Sequence, residues 1–245
     1  MRRPNLLLLG AGGVAAAGVG WAIRDYRAWR ALGPGGLPAT WAGWWRMTRL
    51  RVAKRDPLAL APLASRWGAD EDGLTLADLP ARTGRRPRVA PHPVPHRQLD
   101  AHAPAPVVRA LQALFDRKVV ADPARLSWAT SHFEKRIEAI TLAQPCRRHE
   151  DALIAQGEIG HVHPSDGSMH MILSPSDTRI VVERGWGERH ALAGVRLGLP
   201  QTYTMIYAPR DEGDLAAVSS ILDAAITYMA SDRGVPAKVE GTHQA

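Results

Sequence analysis

Thiol is almost absent from this chain. Cys146 is the single cysteine among 245 residues, which excludes an intrachain disulfide and fits a reducing compartment. The signatures of nucleotide and acyl-transfer chemistry are missing as well. There is no Walker loop, no dinucleotide fingerprint and no Gly-x-Ser-x-Gly elbow, so nucleotide, flavin and serine-hydrolase chemistries have no support. Acidic residues are outnumbered, 24 against 31 lysines and arginines, for a net charge of +7. No nucleic-acid motif accompanies that excess, and much of it lies near the N-terminus. An anionic membrane surface is therefore favoured over nucleic acid.

Charge is also absent from residues 5–23. As a helix this run would span about 28 Å, close to the hydrocarbon thickness of a bilayer. Arg2 and Arg3 precede it and Arg24 follows, and its glycines are tolerated in membrane helices. The rival is a cleaved signal peptide, with Ala15, Ala16 and Ala17 as small residues. We expect a single-pass anchor, with the basic residues after it holding the rest of the chain on the cytoplasmic side. Next, Trp41, Trp44, Trp45, Met47 and Leu50 alternate with Arg46, Arg49, Arg51, Lys54 and Arg55, the pattern of a helix lying in the headgroup region. The alternative is a helix packed on the domain with its cations solvated.

What is present is histidine, concentrated in residues 158–194. Four of the ten are there: His161, His163, His170 and His190. Residues 158–163 and 168–174 have the look of short strands, and the Asp166-Gly167 pair between them is a hairpin signal, because both residues tolerate positive φ. With those two as the turn, His163 opposes His170 and His161 opposes Ile172. Opposed residues, and residues two apart, share a face, so His161, His163 and His170 converge while Met169 and Met171 point toward a core. Glu158 falls on the other face unless Gly160 introduces a bulge. Three imidazoles on one face make a zinc or iron site with open positions, a metal-free base with donor neighbours, or a solvated strand face. Asp166 is explained by the turn alone.

Residues 178–183, rich in β-branched side chains, are expected to be a third strand. Gly185 and Gly187 flank Trp186, which presents a large ring where backbone approaches closely; Glu188, Arg189 and His190 follow. Upstream, residues 80–106 hold seven prolines and read as an extended arm wrapped on the domain, with His92, His96 and His102 as plain surface residues. Residues 106–117 have helical spacing. In residues 131–142, Ser131 and Glu134 make a capping box, yet 137–142 favour a strand; Glu134 is read as a cap. Residues 144–156 look like a surface connection. Residues 201–208 are a strand ending at Pro209, and Asp211 caps a helix to about Ser231. Arg210, at that junction, either holds an anion or pairs with Glu212 or Asp214.

The run EIGHVHPSDGSMH, then GWGERHALAG, then YAPRDEGD, resembles the luciferase-domain family. The likeness extends to Asp25-Tyr26 with Gly33-Pro34 and to ADLPARTGRRP, and covers nearly the whole chain, the anchor included. Family versions usually carry a proline where this chain has Ala191. The resemblance implies the reaction of the characterised fungal luciferases, which oxidise 3-hydroxyhispidin.

Together these readings predict an α+β fold, a mainly antiparallel sheet with flanking helices plus one N-terminal transmembrane helix. The expected divisions are an anchor at 1–24, an interfacial segment at 25–56, a Pro-rich arm at 57–106, the luciferase-like domain at 107–232 and a disordered tail at 233–245. The expected activity is addition of O2 to an enolisable, hydroxypyrone-like aromatic substrate without flavin or nucleotide. His161 or His163 removes the enol proton, with His170 beside them. Arg189 or protonated His190 stabilises the peroxide charge. Trp186, Glu188, Tyr207, Arg210 and Glu158 are the candidate substrate contacts. The alternatives are zinc or iron on His161, His163 and His170 in an oxygenase or hydrolase, and a membrane-anchored binding protein for an apolar ligand.

Overall fold

The computed structural model describes residues 6–63, 75–144 and 150–231. The tail at 233–245, expected to be disordered, lies outside them, as does Cys146. Helix α1 (Leu6–Ala31) is followed by α2 (Trp41–Leu50), capped by the Thr40 side chain. Helix α3 (Ala105–Ala121) leads to strands β1 (Leu126–Thr130) and β2 (Glu138–Leu142). Helix α4 (Glu150–Ile154), β3 (Glu158–Val162), β4 (Met169–Ile172), α5 (Pro175–Glu183), β5 (Gly187–Arg189), β6 (Tyr203–Ile206) and α6 (Glu212–Met229) complete the chain. The six strands form one sheet in the order β1-β2-β3-β4-β6-β5, each neighbouring pair antiparallel. This is the expected α+β architecture.

Among the described residues no helix is long and apolar enough to cross a membrane, so the expected transmembrane helix has no support. Instead of stopping at residue 23, α1 runs on through Arg24, Asp25, Arg27 and Arg30 to Ala31. Its last turns are part of the folded domain. Trp29 is buried against Trp44 and Met47, and its indole donates to Val94 O at 2.7 Å. Asp25 accepts from the Trp44 indole at 2.7 Å and from Arg51 at 2.8 Å. So α2 is a packed helix on one side, while Trp41 and Trp45 remain exposed.

Residues 178–183 are helix, not a third strand. Ser174 caps α5 by accepting from Asp177 N, and Pro175 occupies the first turn. This is a helix start, and it outweighs the β-propensity of Thr178, Ile180, Val181 and Val182, which is a statement about burial as much as backbone. The β-branched side chains are satisfied by burial instead. Asp177 also accepts from Thr75 Oγ1 and Leu76 N, tying α5 to the chain before the arm.

The histidine hairpin forms with a shifted register. His161, not His163, opposes His170, and Val162 opposes Met169. The connection is four residues long: His163 N donates to Ser168 O, and Gly167 N returns to His163 O. Asp166 closes it by accepting from Ser168 N at 2.9 Å. The shift is by two residues, and side chains alternate with period two, so His161, His163 and His170 keep a common face, while the break in register opposite Ile140 and Thr141, between Gly160 and Glu158, lets Glu158 reach His161.

At Gly160 there is no room for a side chain between β3 and β4. A Cβ there would stand 2.5 Å from His170 O and 3.3 Å from Met171 Cα. Gly160→Ala is therefore expected to force the strands apart at a cost of about 1–3 kcal/mol. A thermal melt checks this against Gly18→Ala, whose Cβ meets nothing within 4 Å and which is expected not to lower Tm.

Candidate active site

Strand register assembles the site. His161 opposes His170, His170 opposes Met205, and Met205 opposes Glu188, so one row crosses β3, β4, β6 and β5. Tyr203 lies on the same face and stacks on His170 at 4.7 Å. The opposite face carries Met169, Met171 and Ile206, which join α6 in the hydrophobic core. A strand segment that buries both faces needs cover over its polar side. The cover here is the Pro-rich arm, pinned by the Val89–Gln98 bridge, together with the turn at 131–137.

That cover contributes residues the sequence did not identify. His92 and His96 are buried, not surface residues. His96 Nδ1 is 3.2 Å from His170 Nε2, and its Nε2 is 3.0 Å from Glu188 Oε1. Arg97 NH1 donates to His163 Nε2 at 3.0 Å, and its guanidinium holds the Glu134 carboxylate through two contacts of 3.1 and 3.0 Å. Glu134 is thus more than a cap. It stands 3.9 Å from His163, while Ser131 Oγ does accept from Glu134 N. Nothing in local periodicity marks His96 or Arg97; the only signal was an arm too rich in proline to be regular yet rich in ionisable residues.

His163 Nε2 and His170 Nδ1 are 3.1 Å apart, and His170 Nδ1 and His161 Nε2 are 3.2 Å apart. The ligating atoms of Glu134, His161, His163 and His170 all lie within 4.8 Å of one another. Glu158 supports this centre from behind. Its carboxylate takes His161 Nδ1 at 2.7 Å, Ser131 Oγ at 3.0 Å and the His132 amide at 2.6 Å. Burial opposes the charge on Glu158, but these bonds, His161 first, outweigh it and hold the carboxyl below its ordinary range. His163 and His170 are held well below the ordinary imidazole value. Burial is the main cause for both, followed by the charge of Arg97 for His163 and of neighbouring histidines for His170.

The other candidates divide. Alternation places Glu188 and His190 on the histidine face and Arg189 on the other, paired with Thr204. The Arg189 guanidinium donates to Gln201 O and Ala59 O, on the side of the sheet away from the histidines. The His190 ring is 4.9 Å from that of His96, but its Nδ1 accepts from Leu192 N at 3.1 Å. Tyr207 donates to Glu188 Oε2 at 2.9 Å, and burial pushes its phenol up. Trp186 is buried, donates to Pro80 O and flanks Arg82, which also lies over Tyr207. Two surface hollows, of about 410 and 350 Å3, are lined by residues such as Asp151, Val195 and Gln201 and by Gln112, Trp128 and Val162. Neither is lined by a histidine of the cluster.

Arg210 lies outside the centre. It pairs with Asp214 at 2.6 Å and donates to Thr83 O. Burial works against ionisation of Asp214, but the bonds from Arg210 and the charge of Arg82 prevail and keep its carboxyl below the ordinary value. A group lowered in this way adds stability above the ordinary carboxylate pKa and loses it as pH falls through the folded value. Asp214→Asn is expected to cost about 1.5–3 kcal/mol near neutrality. Urea melts at pH 7 and at about pH 3 should show the gap to the parent protein closing below roughly pH 4.

A family model described as the luciferase domain matches residues 156–225. That segment includes His161, His163, His170, Glu188 and His190, but not His96, Arg97 or Glu134. The chain is 32% identical over 225 residues to a protein named luciferase from Armillaria gallica, covering 85% of this chain and 82% of the relative. It is 30% identical over 242 residues to one of that name from Neonothopanus nambi, covering 90% and 86%. No solved structure matches.

Proposed function

The chain belongs to the luciferase-domain family, and on that premise we propose that it is an oxygenase adding O2 to an enolisable, hydroxypyrone-like aromatic substrate. The observation that carries this is the similarity to luciferases across most of the chain, with the buried histidine centre inside the segment that the family model matches. Light emission is a property of the product and is not part of the proposal.

In such a reaction the ionised enol is the electron-rich form. A carbon–oxygen bond forms between its nucleophilic carbon and O2, the substrate supplies both electrons, and oxygen is reduced to the level of a peroxide. The protein must favour the ionised form and hold the new negative charge. His161, His163 and His170 direct electron pairs to one point, where a proton or another cation is held. Arg97 takes the part expected of Arg189, because its guanidinium adjoins His163 whereas that of Arg189 lies on the other side of the sheet. Exclusion of water fits the burial of the three rings, since a dry site strengthens such charges.

The membrane remains the proposed location. Trp21, Trp41 and Trp45 are exposed near Arg24, Arg46 and Arg49, a composition suited to headgroups. The test is oxygen uptake by the full chain on anionic vesicles with a 3-hydroxypyrone, alongside photon counting. Substrate-dependent uptake is expected, reduced at least about 100-fold in His163→Ala. Binding of the pyrone without uptake would turn the assignment toward a binding protein. Protein that stays in solution when the vesicles are sedimented would remove the membrane placement.

A further inference from the structure

The hydrogen-bond partners around the three central histidines determine where their protons sit. A neutral imidazole has one N–H, and the partner of one nitrogen decides the state of the other. His161 Nδ1 faces the Glu158 carboxylate at 2.7 Å, which only accepts, so the proton is on Nδ1 and Nε2 is bare. His163 Nδ1 faces Ser168 Oγ at 2.8 Å, and that hydroxyl gives its own proton to Asp166 Oδ1 at 2.9 Å. The hydroxyl therefore accepts from His163 Nδ1, and His163 Nε2 is bare. His96 donates from Nε2 to Glu188, leaving its Nδ1 to accept from His170 Nε2. His170 Nδ1 is then bare too.

Three bare nitrogens thus face one another with no proton of their own between them, at 3.1 and 3.2 Å for the two contacts that His170 makes. Arg97 answers one of them, His163 Nε2. Lone pairs this close repel unless a cation lies among them. Atoms bound to one ion at about 2.0–2.1 Å stand roughly 3.0–3.4 Å apart, which is the spacing of both contacts that His170 makes. Each ring is also fixed from behind by Glu158, by the Ser168–Asp166 pair or by the His96–Glu188 pair, the support that metal-bound imidazoles ordinarily have.

We propose that His161 Nε2, His163 Nε2 and His170 Nδ1 form a binding site for one first-row divalent transition ion. Glu134, held by Arg97, has a carboxylate oxygen within 4.8 Å of a nitrogen of each ring and serves as a fourth ligand. Nitrogen donors select ions of the zinc, iron and copper class over magnesium and calcium, which prefer oxygen. The inference concerns the same centre as the function proposed above but does not depend on the substrate.

The test uses the full chain stripped by chelation and titrated with Co(II) and with Zn(II). Metal content after dialysis and the visible absorption of cobalt are measured, with circular dichroism to check the fold. One ion per chain is expected, with visible bands of nitrogen-ligated cobalt. Glu158→Gln is expected to weaken affinity roughly 10–100-fold, as loss of outer support does, and His161→Ala and His163→Ala to weaken it further. His102→Ala, at an exposed position, should leave it unchanged. The parent protein's cobalt spectrum decides the matter if a variant fails to fold. Failure of the stripped protein to take up Co(II) or Zn(II) would overturn the proposal, as would affinity unaffected in folded His161→Ala and His163→Ala. Oxygen uptake by protein that binds no metal would remove the metal site and keep the oxygenase; stoichiometric metal without uptake would do the reverse.

Discussion

Replacing Glu158 with alanine is expected to destabilise the fold by about 3–5 kcal/mol, or roughly 10 °C in Tm for a domain of this size. The side chain is 1% exposed and answers donors from two segments: His161 on its own strand, and Ser131, His132 and Phe133 on the turn at 131–137. An alanine leaves a buried imidazole N–H and two partly buried backbone N–H groups without that acceptor, and each such loss costs about 1–3 kcal/mol. It also releases the His161 tautomer, so activity should fall further than stability alone explains. Glu158→Gln keeps one acceptor oxygen and should recover part of the stability. Thermal melts and oxygen uptake measured on both variants check this. A Glu158→Ala protein melting within about 2 °C of the parent would mean that the carboxylate is not the hub described.

The second large effect is expected at Arg97. Its guanidinium bridges Glu134, His163, the backbone of His96 and Pro34 O, so one side chain joins the arm, the turn at 131–137 and the segment after α1. Arg97→Met should cost about 3–5 kcal/mol, because Glu134 is left as a buried charge with no partner. Arg97→Lys should recover little, since an ammonium cannot reproduce the two-point grip on the carboxylate. The double variant Arg97→Met/Glu134→Leu separates the roles. Replacing both members of a buried pair with apolar groups is often neutral in stability, so Tm should return toward that of the parent while oxygen uptake, expected to be lost in Arg97→Met, does not recover. Recovery of both would show that the pair serves only the fold.

The local patterns foretold several of these elements for reasons that hold within a short stretch. Asp211 does cap α6, accepting from Asp214 N, because a cap and a helical stripe are both short-range signals. The strand at 201–208 forms as β6 over Tyr203–Ile206. The turn at 131–137 escaped a single assignment because it mixes a capping contact at Ser131 with a strand that begins at Glu138. Strand β1 lies at the sheet edge, where its exposed residues carry no regular apolar alternation to mark it.

By itself the sequence determined that His161, His163 and His170 share a face, since that depends on parity, which a two-residue change of register preserves. It also determined the family, through motifs spread along the whole chain. Tertiary structure alone decided which groups complete the centre. His96 and Arg97 reach it across 74 and 66 residues of chain, to His170 and His163, and a separation of that size is set by how the arm packs over a sheet, not by any local periodicity. Between two neighbouring arginine-bearing segments, folding brought Arg97 to the histidines and turned Arg189 away, because a strand sends successive side chains to opposite sides.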